Sequence, residues 1–163
     1  MPPRFNTLNG FLVGQVDPSL ISNVSLSYFP VYPVDIYDDT YDYWKLPLGR
    51  ININGTPLPF SLSNSRVKGS ISPIATLDTG TTLVLGPVID VVKFWNTVGG
   101  ARQDGDSGFW MVRCDRAITV SLVFGGTDGI DAREYFLDPR DISWNGTRSG
   151  DWCLGGIQGN NKV

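Results

Sequence analysis

Histidine is absent from the 163 residues. Ser-His-Asp and Cys-His catalysis, which need an imidazole base, are thereby excluded. Most zinc sites go with them, because their usual ligands are His and Cys. Only two cysteines are present. No apolar stretch is long enough to cross a membrane. There is no Lys/Arg run, and the net charge of -3 argues against a nucleic-acid partner, which would need a basic face. The opening Met1-Pro2-Pro3-Arg4-Phe5 leads into polar residues and lacks the apolar centre of a signal peptide.

What is present is ordinary globular material: 41% hydrophobic and 18% charged residues, in a length that suits one domain with a real core. Without imidazole, acid–base work by Asp or Glu is the leading catalytic option. Nineteen glycines and eleven prolines are scattered between short apolar runs, the rhythm of an all-β chain. Strands are expected at Phe11–Val16, Val24–Pro33 (an edge, given its prolines), Tyr43–Ile53, Ile74–Leu77, Thr82–Leu85, Phe109–Val112, Tyr135–Leu137 and Ile142–Trp144, with Trp152–Ile157 closing the ordered part. Leu46 and Leu48 share one parity and Ile51 and Ile53 the other, which predicts a bulge near Gly49-Arg50. Asn54-Gly55 is a hairpin turn. Ser61–Ser72 reads as a surface loop and Gly125–Gly129 as a turn. Ile118–Phe124 alternates as a half-buried strand. One helix is expected, with Pro87 at its first position, Val88, Val91, Val92 and Trp95 at helical spacing, and Gly99-Gly100 ending it.

Cys114 and Cys153 are able to form one disulfide, which by loop closure would stabilise by roughly 3–4 kcal/mol. The alternative is two buried thiols. Three Asn-x-Ser/Thr triplets, at Asn23, Asn54 and Asn145, are glycosylation acceptors by pattern and favour the oxidised reading. Together these features suggest a secreted protein. With no export signal at the start, the expectation is that the true N-terminus is missing.

The chemistry concentrates at Asp78-Thr79-Gly80-Thr81-Thr82, placed between two apolar strands. A bare Asp-Thr-Gly is a common turn. Here the flanks put the aspartate at the tip of what should be a buried strand pair. Asp38, Asp39 and Asp42 form an acidic cluster read as a solvated face. Asp104 and Asp106 lie in a Gly/Ser turn without the closing Glu of a calcium loop. Trp95, Trp110, Trp144 and Trp152 are read as core or edge packing.

Ala75-Thr76-Leu77-Asp78-Thr79-Gly80-Thr81-Thr82-Leu83, followed by Gly86-Pro87, resembles the active-site loop in the C-terminal lobe of pepsin-like aspartic endopeptidases of the fungal secreted type. Tyr43-Trp44, Phe109–Cys114, Tyr135-Phe136-Leu137-Asp138-Pro139 and Cys153–Gly159 resemble further segments of that lobe, in order. The resemblance covers about Gly10 to Asn160. It implies an all-β fold, a single lobe of a bilobal protease, with residues 1–163 an incomplete C-terminal lobe and the N-terminal lobe absent.

It also implies a site. Asp78 would be one of two catalytic aspartates, with Thr79, Gly80 and Thr81 supporting its loop. Tyr43, Thr76 and Asn160 would line the substrate cleft. No metal or cofactor is implied, and the partners are a polypeptide substrate and the lobe carrying the second aspartate. The complete protein would be secreted or vacuolar. A Trp-x-Leu-Gly-Asp-like strand that packs behind the loop in this family does not occur before Val163. The chain is therefore expected to be a fragment, inactive alone. Two other readings are a homodimer with one Asp-Thr-Gly per copy, and a non-catalytic binding or inhibitor-like module.

Overall fold

The long segment after Tyr43 organises the protein. In the computed structural model the described residues are 28–35, 37, 39–59, 73–126 and 131–160. The expected strand at Phe11–Val16, the first part of Val24–Pro33, the Ser61–Ser72 loop, Asp38, and most of the Gly125–Gly129 turn lie outside them.

Strand β1 (Trp44–Ile53) pairs with three others. Its first half runs antiparallel to β3 (Ile74–Leu77), its second half to β2 (Thr56–Leu58), and Leu48–Ile53 runs beside β7 (Val120–Phe124). The expected bulge is present, as a register shift between Leu48 and Arg50. It falls where the chain needs glycine: a Cβ on Gly49 would sit 2.4 Å from the Gly125 carbonyl oxygen. Asn54 and Gly55 form the β1–β2 turn with φ of 49° and 78°, the left-handed pair that a tight hairpin requires. β8 (Arg133–Phe136) completes this sheet on the far side of β7.

A second sheet has the order β5 (Ala101–Gln103), β6 (Trp110–Arg113), β10 (Trp152–Gly155), β9 (Ser143–Ser149). The third pairing is parallel, between β4 (Val84–Gly86) and β11 (Ile157–Gly159). Helix α1 (Val88–Val98) follows β4. Its Phe94, Trp95, Val91 and Val98 are buried against Ile53, Val112, Val120 and Ile157. Trp95, 1% exposed, donates its indole N–H to the Ile157 carbonyl at 2.8 Å and stacks on Trp110. Gly155 admits the indole, since a Cβ there would lie 2.5 Å from it. Gln158 is buried and pairs its amide with the Trp110 backbone like a peptide group, accepting at 2.8 Å and donating at 3.0 Å. Cys114, just past β6, is disulfide-bonded to Cys153 of neighbouring β10.

The described residues form an all-β single lobe, and five details differ from expectation. Pro87 precedes α1 as its cap, and Val88 opens the helix. Ile142 belongs to a short helical turn, α2 (Pro139–Ile142), capped by the Asp138 carboxylate, and the strand starts after it. β7 is not half-buried: Ser121 is covered along with Val120, Val123 and Phe124, and its hydroxyl is satisfied by Asn52 and Glu134. β5 was not anticipated. Residues 28–33 form no strand, although Tyr32 donates its N–H to the Lys45 carbonyl at the edge of β1.

Candidate active site

β3 ends at Leu77 and β4 begins at Val84, and the intervening loop carries Asp78. The two strands do not pair with each other, because β3 leans on β1 and β4 on β11. The loop is therefore held at both ends by strands from distant parts of the chain.

Within it the carboxylate is fixed locally. The Gly80 N–H donates to Asp78 Oδ1 at 2.8 Å, and the Thr81 hydroxyl donates to Oδ2 at 2.5 Å. Gly80 suits this approach, since a Cβ there would make a tight 3.2 Å contact with Oδ1. Both donors favour the ionised form. The Thr81 hydroxyl, then the Gly80 N–H, hold the Asp78 carboxyl below its usual range, with slight opposition from desolvation. Asp78 and Thr79 are exposed.

The surroundings differ from expectation. The strands flanking Asp78 were read as a buried pair, yet Leu77 is 50% exposed and Val84 and Leu85 are also open. Trp44, the register partner of Leu77, is 68% exposed, and Tyr43 and Ile89 are exposed as well. Leu77, Val84 and Leu85 have the sequence character of strands covered on both faces. Among the described residues nothing covers the second face. None of Trp44, Leu85 and Ile89 is among the site residues expected from the sequence, although the continuous apolar run Leu83-Val84-Leu85 is a readable signal for double burial.

The other candidate residues fall in different places. Thr76 lies two residues before Asp78 on β3, opposite Lys45, and Tyr43 immediately precedes the Trp44–Leu77 pair, so both belong to the Asp78 end. Asn160 follows β11; its N–H donates to the Gly86 carbonyl at 2.9 Å, at the end of β4 remote from the loop. Asp42, from the acidic cluster, pairs with the buried Lys45 ammonium, which holds its carboxyl below the usual range. Asp104 caps its own turn by accepting from the Ser107 hydroxyl and N–H. Trp95 and Trp110 are core, whereas Trp144 is part-exposed and Trp152 lies under the Arg102 guanidinium, 4.1 Å from the ring centroid. Asn54 sits at the hairpin tip and Asn145 in β9, while Asn23 is outside the described residues. No group of three or more Cys, Asp or Glu side chains is arranged for a metal among the described residues. No helix among them is long and apolar enough to cross a membrane.

Comparison with known proteins supplies the remaining observation. A family profile described as eukaryotic aspartyl protease matches residues 6–163. Major aspartyl peptidase 1 of Cryptococcus neoformans var. grubii is 30% identical over 138 residues, covering 82% of this chain and 26% of that protein. An aspartic protease of Phaffia rhodozyma is 31% identical over 125 residues, covering 72% of this chain and 27% of its own length. Chymosin of Camelus dromedarius is 27% identical over 150 residues, covering 92% and 33%. The chain thus spans about a quarter to a third of the curated relatives it matches.

Proposed function

The chain belongs to the eukaryotic aspartyl protease family, and from that premise we propose that it is the C-terminal lobe of an endopeptidase, supplying Asp78 as one of two catalytic aspartates. The observation that carries the reading is the Asp78 carboxylate itself. It is exposed at a loop tip, both oxygens are oriented by Thr81 and Gly80, and the apolar Leu77, Val84 and Leu85 of the flanking strands are open among the described residues.

The second carboxylate comes from a lobe facing this one. Two carboxylates in contact resist double ionisation, so the pair holds one proton, and its titration belongs to both groups. The ionised member accepts a proton from a water lying between them. The resulting hydroxide equivalent adds to the scissile carbonyl carbon while the protonated member donates to the carbonyl oxygen. Proton transfer to the amide nitrogen then lets the C–N bond break, and no covalent enzyme intermediate forms. Thr81 and Gly80 keep Asp78 pointed during this exchange. The Thr79 hydroxyl, exposed beside it, braces the loop of the facing lobe. Tyr43 and Thr76 line the cleft for a polypeptide substrate. Asn160 serves from just past β11, beside the end of β4 remote from the loop. The disulfide supports a secreted or vacuolar route.

The test is complementation. The chain alone, at acidic pH, is expected to leave a protein substrate uncut. Refolded with the amino-terminal half of the similar Cryptococcus peptidase, it should cleave, and Asp78→Asn should abolish the gain. Cleavage by the chain alone that survives Asp78→Asn would sink the proposal.

A further inference from the structure

We propose that Asn54 carries an N-linked glycan whose first sugar packs into the polar pocket beside the β1–β2 hairpin, at the end of β1 remote from Asp78. Asn54-Gly55-Thr56 has the acceptor pattern, and the fold presents it at an exposed turn. The amide orientation is fixed. The Thr119 N–H donates to Asn54 Oδ1 at 3.0 Å, which only the oxygen can accept, while the Asn54 N–H donates to the Thr119 carbonyl at 2.8 Å. Nδ2, the atom a glycan bonds to, makes no hydrogen bond among the described residues. Glycosylation retains the amide oxygen, so the clamp to Thr119 survives it. Next to the turn there is open space, with nothing within 4 Å of a Cβ placed on Gly55.

A second feature points to a saccharide. Gly55 and Thr119 border a pocket of about 430 Å³ that is also lined by Arg50, Asn52, Glu134 and Phe136. Phe136 is 68% exposed and offers an apolar ring face. The Glu134 carboxyl is held below its usual range by Ser121 and Asn52, so it accepts from sugar hydroxyls while the Arg50 guanidinium donates to them. Asn145 borders a different pocket, of about 470 Å³, beside the disulfide. Its Oδ1 lies 3.6 Å from Cys153 Sγ, and the Trp144 ring covers Gly146, 2.6 Å from a Cβ placed there. β1 is ten residues long. At about 3.3 Å per residue, the glycan stands roughly 30 Å from Trp44 and leaves the Asp78 end free.

The full chain, placed behind a secretion leader in a glycosylating yeast, tests this in both medium and cell-retained fractions. Peptide mapping should find a glycan on Asn54, and Thr56→Ala, which leaves the Asn54 turn and its Thr119 clamp in place, should remove that glycan alone. Trimming to a single N-acetylglucosamine should preserve Tm, complete enzymatic removal should lower it, and Phe136→Ala should erase that difference. An unmodified Asn54 peptide overturns the assignment. A glycan on Asn54 with equal Tm in the trimmed and fully stripped forms overturns the sugar's seat in the pocket. Neither outcome depends on proteolytic activity.

Discussion

The two ends of the lobe use the same kinds of residue to opposite effect. Around α1, aromatic and branched side chains are enclosed: Trp95 fills the space left by Gly155, stacks on Trp110, and spends its one N–H on Ile157. Around Asp78, the equally apolar Trp44, Leu77, Val84 and Leu85 lie open to water. The first region is complete in itself. The second has apolar surface and a loop whose Asp78 carboxylate takes its hydrogen bonds from near neighbours, Gly80 and Thr81. Scattered exposed apolar residues need no explanation, whereas exposed apolar side chains on both strands flanking one loop are what an interaction surface looks like. The contrast separates a core that is closed among the described residues from a surface that is open among them.

The sharpest way to break the comparison is to empty the closed end. Trp95→Ala removes a buried indole and orphans the Ile157 carbonyl, and is expected to destabilise by about 3–5 kcal/mol in a denaturant titration. Wild-type-like stability would mean that the α1 region is not the core. Opening the disulfide comes next: Cys114→Ser with Cys153→Ser should lower stability by roughly 3–4 kcal/mol, minus any native strain, and a reductant should match it.

The open end should respond differently. Val84→Ser or Leu77→Ser is expected to change the stability of the chain by no more than about 0.5 kcal/mol, in keeping with surface substitutions. In a complemented, active assembly the same changes should weaken association, read as a higher lobe concentration for half-maximal activity. A large loss in the chain alone would show that these side chains are already covered.

The smallest effect is electrostatic. Thr81→Val removes the main donor to Asp78, so its pKa should rise toward the ordinary carboxylate value, followed by carboxyl NMR shifts against pH. The sign follows from the lowered folded value. The loop's hydrogen bonds contribute above the unfolded pKa and are lost as pH falls through the folded one. Thr81→Val should therefore reduce the pH dependence of stability in that acidic window. Asp138 behaves likewise, held at about 2 by Arg140, so the α2 cap should persist until strongly acidic pH.

Much of this was legible in residues whose meaning is local. The parity switch from Leu46 and Leu48 to Ile51 and Ile53 located the β1 bulge, Asn54-Gly55 located the hairpin, and the Val88–Trp95 spacing located α1. Asp78 with Gly80 and Thr81 was also readable, because that loop closes on itself. What was not legible depends on partners far away in sequence. Nothing local says that β3 pairs with β1, or that β4 pairs with β11 and not with β3. The same residues Leu77 and Val84 that read as buried are buried only if a further layer arrives. Ser121 looked like the wet side of a strand because its satisfaction comes from Asn52 and Glu134, on two other strands. The α2 turn is four residues long, too short for periodicity to reveal.

The amide of Gln158 has a consequence for timing. By gripping Trp110 it seats β11, and β11 is the strand that β4 lies against. As the polypeptide emerges from the ribosome, the aspartate at 78 appears long before the residues that hold the far side of its loop. β4 gains its partner only once residues 157–159 have been made, so the far side of the Asp78 loop is among the last parts of the chain to be anchored.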